Sequence, residues 1–183
     1  MAPADPSAPL LSRFGRWGLA LLAASVAGLA AAQTEERVLE LENGAVFRYR
    51  LLNPTAPTEI SARDTALTLL RHLAAGDIEQ AALLSNAPRR RYEVLRGYRE
   101  SVGEDEFKRV FAQYFLSRNR LAAELALDAH RLLVWDLGDA GHHVAGQYYI
   151  EVDGKFLMND VPSAERSRLR RVLEAYRAGK LRF

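Results

Sequence analysis

The chain has 183 residues, 49% hydrophobic and 26% charged, with 25 Lys and Arg against 23 Asp and Glu. That apolar content excludes a disordered or collagen-like chain, and a formal charge of +2 excludes a globally basic nucleic-acid binder. The absence of Cys excludes disulfide scaffolds, Cys-ligated zinc and thiol catalysis.

The first predicted element is a targeting segment, residues 1–32. Arg13 and Arg16 precede an apolar run from Trp17 to Ala32, and Ala30 and Ala32 occupy the small-residue positions that signal peptidase needs before Gln33. The run of 16 residues is shorter than the roughly 20 that span a bilayer, and no Cys is available for a lipoprotein anchor. Arg13 and Arg16 are separated by two residues, so a twin-arginine route is not signalled. Cleavage at Ala32–Gln33 removes 32 of the 183 residues and leaves 151, with 23 basic and 22 acidic side chains. The expected location is the periplasm or the outside of the cell. A domain of that size buries about 68–70% of its unfolded surface and needs no disulfide.

Residues 33–58 read as a β-hairpin and linker. Leu39 and Leu41 alternate with Glu40 and Glu42, and Phe47, Tyr49 and Leu51 alternate with Arg48 and Arg50. Between them, Asn43-Gly44 suits the two positive φ angles of a type I′ turn, which predicts strands over 37–42 and 45–52. The stretch Asn53 to Thr58, with Pro54 and Pro57, breaks the pattern.

Four helices follow. The first runs from about Ser61 to Ala75 and ends at Gly76; Asp77 opens the second, with Gln80 placed to complete a capping box. Pro88 starts the third, with Tyr92, Leu95, Tyr98 and Val102 inward. The fourth begins after Gly103 with Glu104, Asp105 and Glu106 at its positive end and a core stripe of Phe107, Val110, Phe111, Tyr114 and Phe115. From Leu121 the period changes toward two. Leu121, Ala123, Leu125 and Leu127 form one alternating set, and strands over 130–137, 144–152 and 155–160 complete a four-strand meander with turns at Asp128-Ala129, 138–141 and Asp153-Gly154. The strand HRLLVWDL has apolar residues on both faces, as a central strand covered from both sides requires. Pro162-Ser163 starts a last amphipathic helix with Leu169, Val172, Leu173 and Tyr176 on its apolar stripe. Helices followed by an antiparallel meander predict an α+β fold.

The run LTLLRHLAAGDIEQAALLSN at 67–86, with GQYYIEVDGKFLMND at 146–160, resembles the nuclear transport factor two-like family, also called ketosteroid-isomerase-like or cystatin-like. The resemblance covers about residues 61–160. It implies an α+β conical-pocket domain over 59–183, with helices packed on a curved meander sheet around a pocket used for catalysis, ligand binding or protein docking. It transfers no catalytic set. The N-terminal hairpin and the basic C-terminal helix fall outside the pattern.

Acid–base chemistry in such a pocket needs a carboxylate or imidazole beside a Tyr or a second acid. Asp128, His130, Asp136 and Tyr149 have that chemistry, though no motif distinguishes them. His142 and His143 are adjacent, so on a strand they point to opposite faces and cannot readily share an ion; with no H-E-x-x-H, Walker or Rossmann pattern, neither metal nor cofactor is expected. A pocket lined by Phe111, Tyr114, Trp135 and Tyr149 would suit an apolar or amphipathic small molecule, with arginines at its rim. From Glu165 onward seven basic residues face two acidic ones, and Arg166, Arg170, Arg171 and Arg177 make a basic surface for a protein partner or an anionic membrane, unless the apolar stripe packs on the sheet and the arginines are a solvated face. The expected function is a non-catalytic, exported binding or envelope-accessory protein. Two other classes stay open: a small pocket isomerase, dehydratase or hydrolase using an Asp or His, and a subunit that homodimerises through its sheet.

Overall fold

The computed structural model describes residues 34–40, 44, 46–52, 61–138 and 143–183. The targeting segment, Asn43, the 53–58 linker and His142 lie outside the described residues. Strands β1 (Glu35–Glu40) and β2 (Val46–Leu52) precede helices α1 (Ala62–Ala75), α2 (Ile78–Leu83), α3 (Pro88–Val102) and α4 (Glu104–Ala112). Strands β3 (Asn119–Leu127), β4 (His130–Leu137), β5 (His143–Val152) and β6 (Lys155–Met158) and helix α5 (Ala164–Arg177) follow. The fold is α+β, and its six strands pair antiparallel in chain order, β1-β2-β3-β4-β5-β6, without closing into a barrel. The hairpin belongs to this sheet, because Arg50, Leu51 and Leu52 pair with Ala126, Leu125 and Glu124.

Helix boundaries follow local chemistry. The Ser61 side chain accepts the Asp64 N–H at 3.1 Å and Gly76 ends α1 at φ +84°. Asp77 accepts the Gln80 N–H at 3.1 Å, and Ser163 accepts the Arg166 N–H at 3.1 Å to start α5. One helix departs from its apolar stripe. The α-helix stops at Ala112 and a 3-10 turn over Gln113–Phe115 follows; the tighter turn rotates Phe115 out of register, leaving it 44% exposed.

The sheet is covered on both faces. Leu133, Trp135 and Leu137 of β4 face the α1–α4 layer, packing with Leu69, Leu70, Leu73, Ile78, Leu95 and Phe107. Leu132 and Val134 face α5, packing with Leu169, Val172 and Leu173. The apolar stripe of the basic helix therefore packs on the domain itself.

Two registers differ from the sequence pattern. The ladder pairs Leu39 with Phe47 and Glu40 with Val46, whereas a two-residue Asn43-Gly44 turn would set Glu40 against Phe47. Gly44 keeps a positive φ of +75°. In β3 the register shifts between Leu121 and Ala123, so Leu121 packs on the helical layer while Ala123 and Leu125 pack under α5. A bulge at Ala122 explains this, since one extra residue reverses the side on which all later side chains fall. The two-residue turn with paired positive φ occurs instead at Asp153 (+49°) and Gly154 (+73°), joining β5 to β6.

Candidate functional site

The site is positioned by the shortness of β6. Its pairing with β5 runs from Val152–Lys155 to Tyr149–Met158, and the Asn159 N–H adds a last bond to the Tyr148 carbonyl at 2.7 Å. On its other side β6 is bridged by the chain after α2: Met158 N–H bonds Leu84 O at 2.7 Å and Asn86 N–H bonds Met158 O at 3.0 Å. Further along β5, Arg177 donates from Nε (3.0 Å) and Nη2 (2.6 Å) to the Val144 carbonyl. Because ladder groups alternate sides, the backbone of Gly146, midway between Val144 and Tyr148, also faces that outer edge.

A cavity of about 270 Å³ lies along this edge, between the helical layer and α5. Leu69 and Leu73 from α1, Leu95 from α3, Phe111 from α4 and Met158 from β6 make its apolar wall. Gly146, Gln147, Tyr148, Asn159, Arg91 and Arg166 complete the lining. Gly146 makes room for this packing. A Cβ there would collide with Leu173 Cδ2 and sit 3.3 Å from Leu132 Cδ1, so any larger residue must displace the Leu173 side chain for α5 to keep this close approach.

The polar groups are held in defined states. Arg91 forms a two-point ion pair with Asp160, Nε to Oδ2 at 2.7 Å and Nη2 to Oδ1, and Ser85 Oγ donates to the same carboxylate at 2.6 Å. Arg91 is thus neutralised where it stands. The Arg166 guanidinium lies 5.3 Å from the Tyr148 ring centroid, a cation–π contact. Trp135 Nε1 donates to Gln147 Oε1 at 3.0 Å, and the Tyr149 hydroxyl donates to the same oxygen at 3.4 Å. Asn159 is 2% exposed, and its Nδ2 is buried with no hydrogen-bond partner among the described residues.

Of the residues singled out from sequence, Phe111 lines the cavity. Trp135 and Tyr149 stand behind Gln147, and the Tyr114 ring meets Trp135 edge-on at 5.4 Å between centroids. Burial raises the Tyr114 phenol to about 12 and pushes Tyr149 higher still. The acid–base candidates are elsewhere. Asp128 is exposed in the β3–β4 turn at φ +52°. His130 is 8% exposed, with Nε2 3.3 Å from Ser163 Oγ, whereas Asp136 lies 3.7 Å from Arg120 Nε. His130 and Asp136 share a face but occupy opposite ends of β4, six residues and about 20 Å apart. His143 is exposed at the start of β5, and among the described residues no group of three or more His, Asp or Glu could hold a metal ion. On α5, Arg170 pairs with Glu174 at 3.6 Å and Arg171 is exposed, while Arg166 turns to the cavity and Arg177 to the β5 edge.

Sequence reading missed Gln147, Asn159 and the Arg91–Asp160 pair. Only Gly146 carried a local signal, a glycine inside a strand, which marks a close approach. Another unforeseen group is Glu124, 8% exposed on the helical face of β3, whose carboxyl burial raises above the ordinary range against the opposing pull of Arg131 and Arg63. Compared with known protein families, curated proteins and solved structures, the chain matches none. No helix among the described residues is long and apolar enough to cross a membrane.

Proposed function

We propose that the protein is exported, loses residues 1–32 at a signal-peptidase site, and acts in the periplasm as a non-catalytic binding protein for a small apolar or amphipathic molecule. The targeting part rests on Arg13, Arg16, the apolar run from Trp17 and the Ala30–Ala32 pair. The resemblance of 61–160 to the nuclear transport factor two-like family is consistent with a pocket between helices and sheet.

The observation that carries the binding reading is the cavity at the β5 edge, walled by Leu69, Leu73, Leu95, Phe111 and Met158. Apolar walls with a few convergent polar groups are the usual make-up of a small-molecule site, and about 270 Å³ suits a small ligand. The lining side chains include neither a carboxylate nor an imidazole, so the groups that acid–base catalysis would require stand outside it. Native mass spectrometry of the protein purified from its own periplasm tests this reading. A co-purifying small apolar or amphipathic molecule, on a chain beginning at Gln33, is the expected result. A consistently empty monomer that also captures nothing from an envelope lipid extract overturns it.

A further inference from the structure

We infer that the polar end of the ligand is a carboxylate, read by the side-chain donors of Asn159, Gln147 and Arg166. This rests on the binding reading above and specifies its ligand class. Each amide orientation at this site is dictated by a hydrogen-bond partner that can act in only one sense.

The Asp160 backbone N–H can only donate, and it donates to Asn86 Oδ1 at 2.8 Å. Asn86 therefore presents Nδ2 at its other end, and this donates to Asn159 Oδ1 at 3.0 Å. Asn159 in turn is left with Nδ2, a buried and unpartnered donor on a residue that lines the cavity. Gln147 is oriented in the same way. The Trp135 indole N–H can only donate, so Gln147 must offer it Oε1, and the remaining polar atom of the amide is Nε2, again a donor. A buried donor left without a partner is destabilising, so an acceptor brought to these two amides is rewarded and a second donor is not.

Charge points the same way. Arg91 is already matched by Asp160, whereas Arg166 makes a cation–π contact with Tyr148 and keeps its charge available to an anion. The side-chain amide oxygens of the lining are both engaged. A carboxylate has two oxygens and no donor, which fits this set, and the apolar body of the same molecule meets Leu73, Leu95 and Phe111.

Isothermal titration with octanoate, octanol and octylammonium, which share one chain and differ in head group, tests the assignment. Octanoate is expected to bind at least tenfold more tightly than octanol, and octylammonium more weakly than either. Gln147→Glu keeps an oxygen for Trp135 while turning the remaining donor into an acceptor, and Arg166→Gln removes the cation. Each should weaken octanoate at least tenfold and change octanol less than twofold, with a thermal midpoint close to that of the parent protein. Octanol binding as tightly as octanoate, or variants that weaken both equally, overturns the carboxylate assignment and leaves the binding reading standing. Failure of all three probes, with an empty protein in native mass spectrometry, overturns both.

Discussion

Replacing Gly146 by alanine adds one methyl group at the most crowded point between the sheet and α5. The new Cβ overlaps Leu173 Cδ2 and lies 3.3 Å from Leu132 Cδ1, and both leucines are 3% exposed or less. Extra volume in a packed core typically costs about 1–3 kcal/mol. Removing a strand glycine returns about 0.5–1 kcal/mol of backbone entropy. The expected net loss is about 1–2 kcal/mol, or about 2–8 °C in Tm for a domain near 150 residues. Urea and thermal unfolding measure it, and a double-mutant cycle supplies the specific test. Leu173→Ala alone should cost about 2–5 kcal/mol. In the double variant the new methyl occupies space that Leu173 has vacated, so the combined cost should fall short of the sum by about 1 kcal/mol or more. A Gly146→Ala protein as stable as the parent, or two effects that add within about 0.5 kcal/mol, would refute the close-packing argument.

Breaking the Arg91–Asp160 pair by Asp160→Asn should destabilise by about 3–5 kcal/mol, because a cation only 20% exposed then loses its carboxylate; chemical denaturation measures this. Glu124→Gln should gain on the parent as pH rises. The folded carboxyl titrates above its unfolded value near 4.3, so the stability it contributes is present below that pH and lost as pH climbs through the folded value, a loss the amide does not share. A stability gap that does not move toward the variant between pH 4 and 7 counts against this. Tyr114→Phe should flatten the alkaline decline in stability between about pH 10 and about 12, since in that range the phenol ionises in the unfolded chain but stays neutral when buried, a drive toward unfolding that Phe lacks; unfolding curves across that range check it.

Much of the scaffold is legible along the chain because its causes are local. Ser61, Asp77 and Ser163 each place an acceptor next to N–H groups that would otherwise lack partners, and Gly76 relieves the left-handed turn that ends α1. The two-sided apolar content of β4 likewise announces a central strand, since each side chain carries its own preference for burial. Such patterns describe one element at a time. The Ala122 bulge has no comparable mark. It depends on how β3 and β4 meet, and it decides that Leu121 and Ala123 belong to different cores.

The cavity depends even more on distant parts of the chain. Phe111 could be proposed for it from a helical stripe, but Gln147 becomes a donor only because Trp135, across the β4–β5 ladder, claims its oxygen. Asn159 has an open donor only because Asn86 and Asp160 fix its amide from 73 residues away and from the next position. The amino-acid sequence by itself thus determines the helices, the meander and their buried faces, through capping, turn and periodicity rules that act within a few residues. Tertiary structure alone decides where β6 stops, how closely α5 approaches Gly146 and which polar atoms face the cavity. Those outcomes come from contacts between residues that no short-range rule brings together.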